Sequence, residues 1–162
     1  LHSLLKKKQL STEDIISIFF QLLFSLEVAQ NSLLFTHYDL HADNILIQEN
    51  TDAISLHFPI FDKHISMKPK YIVKIIDYGF STITLPENKI YSCCNNENFL
   101  KFGYYPFFTP GTDLFRVIVG IFSYNVNEEL FRFFLFLFEH FYKLKTEIIT
   151  EANFKTFFHN HF

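Results

Sequence analysis

The chain has no tryptophan, and its only cysteines, Cys93 and Cys94, are neighbours. Adjacent cysteines are poorly placed to pair with each other, and nothing else is left to build a disulfide framework. A reducing, intracellular setting is therefore expected. Long hydrophobic runs are also missing. The richest, over 130–138, is interrupted by Arg132 and falls far short of the ~20 apolar residues that cross a bilayer, so no membrane span is expected. A secretory leader is not visible either, because Lys6, Lys7 and Lys8 follow the first apolar residues instead of preceding them. A large excess of charge of one sign is missing too, with 14 Lys and Arg against 17 Asp and Glu. The net value of −3 argues against a partner such as nucleic acid, which is gripped through a basic surface. What fills the 162 residues is apolar material, 49% of the chain against 19% charged. That is enough to bury one core in a single domain, 1–162, and too apolar for a disordered chain. Phenylalanine carries much of it, at 23 residues. With isoleucine, asparagine, lysine and tyrosine also abundant, the bias fits AT-rich coding, a property of the source and not of the function.

Against this background stands one dense polar stretch. Between Thr36 and Ile47, the residues His37, Asp39, His41, Asp43 and Asn44 put five polar or titratable side chains into eight positions. An apolar, β-branched run follows at once, so a buried strand is expected over 44–48, with the polar loop held at its mouth. A second apolar strand, expected over 71–76, ends in Asp77-Tyr78-Gly79. Loops anchored on core strands are where binding and catalytic groups concentrate.

These two motifs carry a resemblance. His37-Tyr38-Asp39-Leu40-His41-Ala42-Asp43-Asn44 is similar to the catalytic loop of the protein kinase superfamily, H-R-D-L-x-x-x-N. Asp77-Tyr78-Gly79 resembles the Asp-Phe-Gly that follows on a later strand of the same family. Their order, each at a strand edge, makes the pair more specific than either motif alone. The resemblance implies an α+β, mainly α-helical fold. It would be a protein kinase-like carboxy-terminal lobe, with short β-hairpin strands carrying the catalytic and metal-binding loops. It also implies an ATP-dependent phosphotransferase of the divergent haspin-like or viral serine/threonine kinase type, acting on a hydroxyl-bearing protein substrate. Phosphoryl transfer asks for positioning and charge neutralisation more than for covalent chemistry. On that pattern Asp39 takes the proton of the attacking hydroxyl or orients it. Asn44 holds a Mg2+ ion, Asp77 holds the metals that bridge the nucleotide phosphates, and Gly79 lies with Asp77 against the ATP. Oxygen donors suit that hard cation. A source in a large DNA virus would make the setting the cytoplasm of an infected host cell, or the virion.

Some positions depart from the family pattern. His41 stands where protein kinases carry a lysine; haspin-like kinases and the aminoglycoside and choline kinase branch often have a histidine or another residue there. A histidine can donate a hydrogen bond to the transferred phosphate, although an imidazole in water is charged only below about pH 6.5. Tyr38 replaces the arginine that elsewhere pairs with a phosphorylated activation segment, and 80–110 lacks an Ala-Pro-Glu. Regulation by phosphorylation of that segment is therefore not expected. His37 should hold the loop, and Asp43 should be a solvated acid. The resemblance covers only the carboxy-terminal half of a kinase: there is no G-x-G-x-x-G loop, no Val-Ala-Ile-Lys strand and no helix supplying that lysine's glutamate. Beginning at Leu1, the sequence is expected to be a fragment lacking the amino-terminal lobe of its own chain, with little activity alone. Other readings stay open. One is a pseudokinase or interaction module, and another is a small-molecule kinase. A third is a zinc hydrolase in which His37, Asp39 and His41 alternate on one face of an extended strand.

The remaining elements follow from periodicity. Ser11 to Asp14 fits a capping box, and Ile15, Phe19, Leu22, Leu23, Leu26 and Ala29 then recur at helical spacing to about Gln30. Residues 53–70 read as an irregular insertion, with Pro59 and Pro69. Residues 80–110 show no period and correspond to an activation segment. Leu114, Val117, Ile118 and Ile121 mark a helix over 111–122, capped by Thr112 or Asp113. By resemblance, Asp113 accepts hydrogen bonds from the backbone of the catalytic loop. A helix over 127–145 carries Phe131, Phe134, Phe138, Phe141 and Tyr142 as core, and 150–162 reads as a last short helix.

Overall fold

The computed structural model describes residues 1–60, 63–85, 87, 89–92, 108–109, 111–122, 124 and 127–142. Over these residues the fold is α+β. After α1 (His2–Lys6), the long helix α2 (Thr12–Leu33) forms the spine. Its start is the capping box read from the sequence: Ser11 Oγ accepts the Asp14 N–H, and the Asp14 carboxylate accepts the Ser11 N–H. Each orphan N–H so covered stabilises the helix by about 1 kcal/mol. Ile15, Ile18, Phe19, Leu22 and Leu26 are buried along one face, while Leu23 and Ala29 pack at its margin. The helix runs three residues beyond the expected Gln30, because its stop signal is not a glycine. Leu34 takes the left-handed conformation at φ 45° and bonds back to the Gln30 carbonyl, a role that sequence assigns to Gly or Asn.

Two strands carry the site. β1 (Ile45–Glu49) and β4 (Tyr71–Ile75) pair antiparallel, with Ile45 opposite Ile75 and Glu49 opposite Tyr71. The 44–48 and 71–76 expectations are thus met to within a residue. The pair is fixed to α2 by buried Gln21, whose Nε2 donates to the Tyr71 carbonyl at 2.9 Å and whose Oε1 accepts the Val73 N–H at 3.1 Å. One side chain thereby satisfies a backbone edge that no third strand covers among the described residues.

Between these strands lies a correction. Residues 53–70 are not irregular: β2 (Leu56–Ile60) and β3 (Lys63–Met67) form an antiparallel hairpin. Pro59 obscured it, since proline speaks against a strand. Among the described residues, however, β2 and β3 pair only with each other, so each has an outer edge where a missing N–H is tolerated. The hairpin docks on α2 by stacking Phe58 on Phe24 at 4.4 Å between centroids. Asn50 closes its base, donating to the Ile54 and Pro69 carbonyls and accepting the Ile54 N–H. Because that base is closed, the insertion leaves the β1–β4 register intact. A second correction concerns 80–110, where β5 (Thr82–Thr84) and β6 (Ile90–Ser92) form a short hairpin; 93–107 lie outside the described residues.

α3 (Thr112–Phe122) buries Leu114, Val117, Ile118 and Ile121, as the spacing predicts. α4 (Glu128–Tyr142) is capped by Asn127, whose Oδ1 accepts the Leu130 N–H. Phe131 and Phe134 are buried, and Phe19 of α2 meets Phe133 and Phe134 edge-on at 6.1 and 5.1 Å. Phe138, Phe141 and Tyr142 fall within α4, but their side chains lie outside the described residues, as does the helix expected over 150–162. Among the described residues, no helix is long and apolar enough to cross a membrane.

Candidate active site

The loop of 37–44 is pinned from below by a buried acid. Asp113, in the first turn of α3, accepts the His37 N–H at 2.7 Å on Oδ2 and the Tyr38 N–H at 2.9 Å on Oδ1. Burial pushes its carboxyl above the ordinary carboxylate range, while the two N–H donors, His37 and Arg116 pull the other way. The expectation that Asp113 braces the loop backbone is met in this geometry. Its side chain is therefore spent on the loop and not on capping its own helix.

The loop is not an extended strand. Tyr38 sits at φ 66°, a region costly for a residue with a side chain. It is held there by its N–H on Asp113, by burial of its ring, and by a 2.9 Å contact from its hydroxyl to Thr109 Oγ1. Thr109 in turn donates its N–H to Thr36 Oγ1 at 3.0 Å. This break ends the alternation that a zinc triad would need. The His37 ring is fully buried, with Nε2 3.0 Å from the Ile76 carbonyl, so that nitrogen carries the proton. Its Nδ1 is buried without a hydrogen-bond partner among the described residues. His41 instead lies half-exposed beside Asp39 and Asp43. Among the described residues, no three His, Cys, Asp or Glu side chains group as a metal site. The alternation of His37, Asp39 and His41 on one face, on which a zinc site would rest, is absent from this loop.

Asp39, His41 and Asn44 do come together. A 3-10 turn, Ala42–Asn44, joins the loop to β1, with His41 at its N-cap accepting the Asp43 N–H on Nδ1. The turn brings the buried Asn44 amide back over the loop. Its Nδ2 lies 2.8 Å from the Asp39 carbonyl, 3.3 Å from Asp39 Oδ2 and 3.3 Å from His41 Nε2. All three contacts run through Nδ2, not the amide oxygen. Asp77 arrives on the neighbouring strand: Ile76 donates its N–H to the Asn44 carbonyl at 3.0 Å, so Asn44 and Asp77 leave the same end of the ladder. Asp77 is exposed at φ 60°, and its carboxylate accepts the Gly79 N–H at 3.4 Å. That side-chain turn is what lets an aspartate tolerate the left-handed region. At Gly79, a Cβ would stand 3.3 Å from Asp77 Oδ1, so glycine keeps the carboxylate uncrowded. The segment beyond Gly79 returns to the loop through a bridge in which Thr36 and Thr82 exchange N–H···O bonds of 3.0 and 2.8 Å.

One neighbour was missed by the sequence reading. Arg116 of α3 brings Nη1 to 3.8 Å from Asp39 Oδ1. The sequence shows an arginine three residues after Asp113, but nothing in it says which loop that arginine reaches.

Comparison with known proteins bears on this arrangement. Residues 2–104 match the model of the family described as the haspin-like kinase domain. A protein of Invertebrate iridescent virus 3, named as a probable kinase, is 37% identical over 117 residues, covering 71% of this chain and 21% of that protein. A probable serine/threonine-protein kinase of Dictyostelium discoideum is 32% identical over 103 residues, 55% of this chain and 8% of its own length. An uncharacterized protein of Invertebrate iridescent virus 6 is 32% identical over 71 residues, 44% of this chain and 6% of its own. The chain therefore spans about a fifth or less of the length of these relatives. The family match includes the 37–44 loop and Asp77-Tyr78-Gly79, and ends before α3.

Proposed function

The chain belongs to the haspin-like kinase domain family, and from that premise we propose that it carries the catalytic-loop lobe of an ATP-dependent kinase acting on serine or threonine hydroxyls of protein. The observation that carries this reading is that the Asp39 carboxylate meets the Asn44 amide at one end of the β1–β4 ladder, the end at which the β4 backbone, bonded through Ile76 to Asn44, leads into Asp77. Asp39 is the group that takes or orients the proton of the attacking hydroxyl. Its carboxylate is held against Asn44 Nδ2 and is about one-quarter exposed at 27%, so it is ordered and still reachable. Asn44 and Asp77 are the residues that would hold Mg2+. Their fit rests on donor chemistry: an amide oxygen outside the contacts Asn44 makes, and an exposed carboxylate. Few protein ligands are enough, since Mg2+ keeps several waters and shares the phosphates of its nucleotide. When bound, the ion neutralises charge on those phosphates. His41, with Nδ1 accepting the Asp43 N–H, turns Nε2 toward Asp39 and Asn44, where an N–H can meet an incoming phosphate. Tyr38, buried and bonded to Thr109, is no receptor for a phosphorylated loop. The kinase-named relatives support phosphoryl transfer over a pure interaction module.

The test uses the protein expressed from its complete reading frame, with Mg2+, labelled ATP and a degenerate Ser/Thr peptide pool. Asp77→Ala should abolish Mg2+-dependent nucleotide binding, and Asp39→Ala should leave binding intact while lowering kcat by at least ~100-fold. Nucleotide binding that survives Asp77→Ala, or turnover that survives Asp39→Ala, would remove the proposed roles.

A further inference from the structure

The 37–44 loop contains no permanent cation; its basic side chains are histidines. The fold brings one in from another element. Arg116 follows Asp113 by three residues on α3, which puts the two on one face of the helix. From that face Asp113 takes the N–H groups of His37 and Tyr38, and Arg116 Nη1 stands 3.8 Å from Asp39 Oδ1. A single helical turn therefore holds both the backbone of the loop and its acid. The two carboxylate oxygens of Asp39 divide their neighbours: Oδ1 faces Arg116, while Oδ2 faces Asn44 Nδ2 at 3.3 Å and His41 Nε2 at 3.6 Å. The Arg116 side chain is two-thirds buried, at 33% exposure, so the charge pair is less screened by water than one on an open surface.

We propose that Arg116 is a positioning residue for phosphoryl transfer, fixing the Asp39 carboxylate so that it meets the acceptor hydroxyl in one orientation. The inference rests on the role given to Asp39 above. A guanidinium suits the task because it stays charged at every working pH, whereas an imidazole does not. The separation is too long for a hydrogen bond, so the contact is one of charge. A lysine at the same place should then recover most of its effect. Misplacing a reacting group by about 1 Å can cost on the order of 100-fold in rate, so the kinetic signal should be large even though the ion pair contributes little to stability.

Two measurements separate this role from a mere brace between α3 and the loop. In 15N spectra of the 162-residue chain, the Arg116 guanidinium signals should move on Asp39→Asn and stay in place on Asp43→Asn. No response to Asp39→Asn overturns the contact. In the protein from the complete reading frame, with Mg2+–ATP and the peptide pool, Arg116→Gln should lower kcat roughly 10- to 100-fold and change KM for ATP by less than about two-fold. Arg116→Lys should recover most of that loss, and in an Asp39→Asn background Arg116→Gln should cost nothing further. An Arg116→Gln enzyme as fast as wild type, a lysine no better than glutamine, or a loss that persists without the Asp39 carboxylate each overturns the proposal. If wild-type protein transfers no phosphoryl group, the function proposed above fails and the positioning role falls with it, while the spectra still report whether the ion pair exists.

Discussion

Replacing Asp113 should unfasten the candidate loop, and the size of the effect can be worked from two hydrogen bonds. The His37 and Tyr38 N–H groups both end on this carboxylate, at 2.7 and 2.9 Å, and both residues are buried. Water cannot replace the acceptor without opening the loop. A buried donor left unpaired costs about 1–3 kcal/mol, so two give roughly 2–6 kcal/mol for Asp113→Ala. An offset comes from Asp113 itself. Burial pushes its carboxyl up, which means that part of its desolvation is uncompensated and is returned when the charge is removed. The expected net loss is therefore about 2–4 kcal/mol, against the ~5–15 kcal/mol typical of a whole domain. Asn at 113 keeps one acceptor but turns an amide N–H2 toward the other donor, so it should behave more like Ala than like Asp. Urea unfolding measures the loss, as a midpoint lowered by roughly 1–2 M at unchanged m-value. Amide exchange locates it: the His37 and Tyr38 amides should lose protection ahead of the α2 core. An Asp113→Ala protein within about 0.5 kcal/mol of wild type, with those amides still protected, would refute the account of the loop as hung from α3.

Gln21→Leu should cost about 1–3 kcal/mol despite the apolar setting, because it strands the Tyr71 carbonyl and the Val73 N–H that the amide now satisfies. A neutral or stabilising result in urea titration would mean that the β4 edge finds other partners. Asp113 also sets a pH dependence with an unusual sign. Its folded pKa lies above the ordinary carboxylate value, so between the two values the folded chain holds a proton that the unfolded chain has lost. Its contribution is fully present below the unfolded pKa and falls away as pH rises through the folded one. The stability gap between wild type and Asp113→Asn should therefore narrow from the acid side toward neutrality. A gap that widens over that range would show that the N–H donors outweigh desolvation.

How much of this was legible depended on whether the signal was local. The α2 start was readable because a capping box is a local contract between Ser11 and Asp14. β1 and β4 were readable because each is a short apolar run ending in a polar motif. The β2–β3 hairpin was not, because the deciding fact is that, among the described residues, the two strands pair only with each other, and Pro59 alone pointed the other way. The C-terminus of α2 was set by a leucine in the left-handed region, a choice that carries no compositional mark. Within the site, the distinction is sharper still. His37, Asp39, His41 and Asn44 are near neighbours in sequence, so their spacing could announce a site; Asp113 was found only through family resemblance. Arg116 is separated from Asp39 by 77 positions, and periodicity on α3 records only which face it shares with Asp113.

That separation also bears on how the site is built. The loop contributes the candidate acid, amide and imidazole, while Tyr38, at φ 66°, is braced from outside it. The strain there is of the order of 1–3 kcal/mol, and the bonds that oppose it come from Asp113 on α3 and from Thr109, outside the loop. The loop is therefore not an independent unit that the fold merely displays. Its shape is braced by α3, which packs with α2 and the β1–β4 pair through the core of Phe19, Leu22, Ile45, Val117 and Ile118. Packing mutations in that core should disorder the Asp39 region before they unfold β1, since the loop stores strain and the strand does not. The candidate acid, amide and imidazole lie within eight consecutive residues, but their geometry is a property of the whole core.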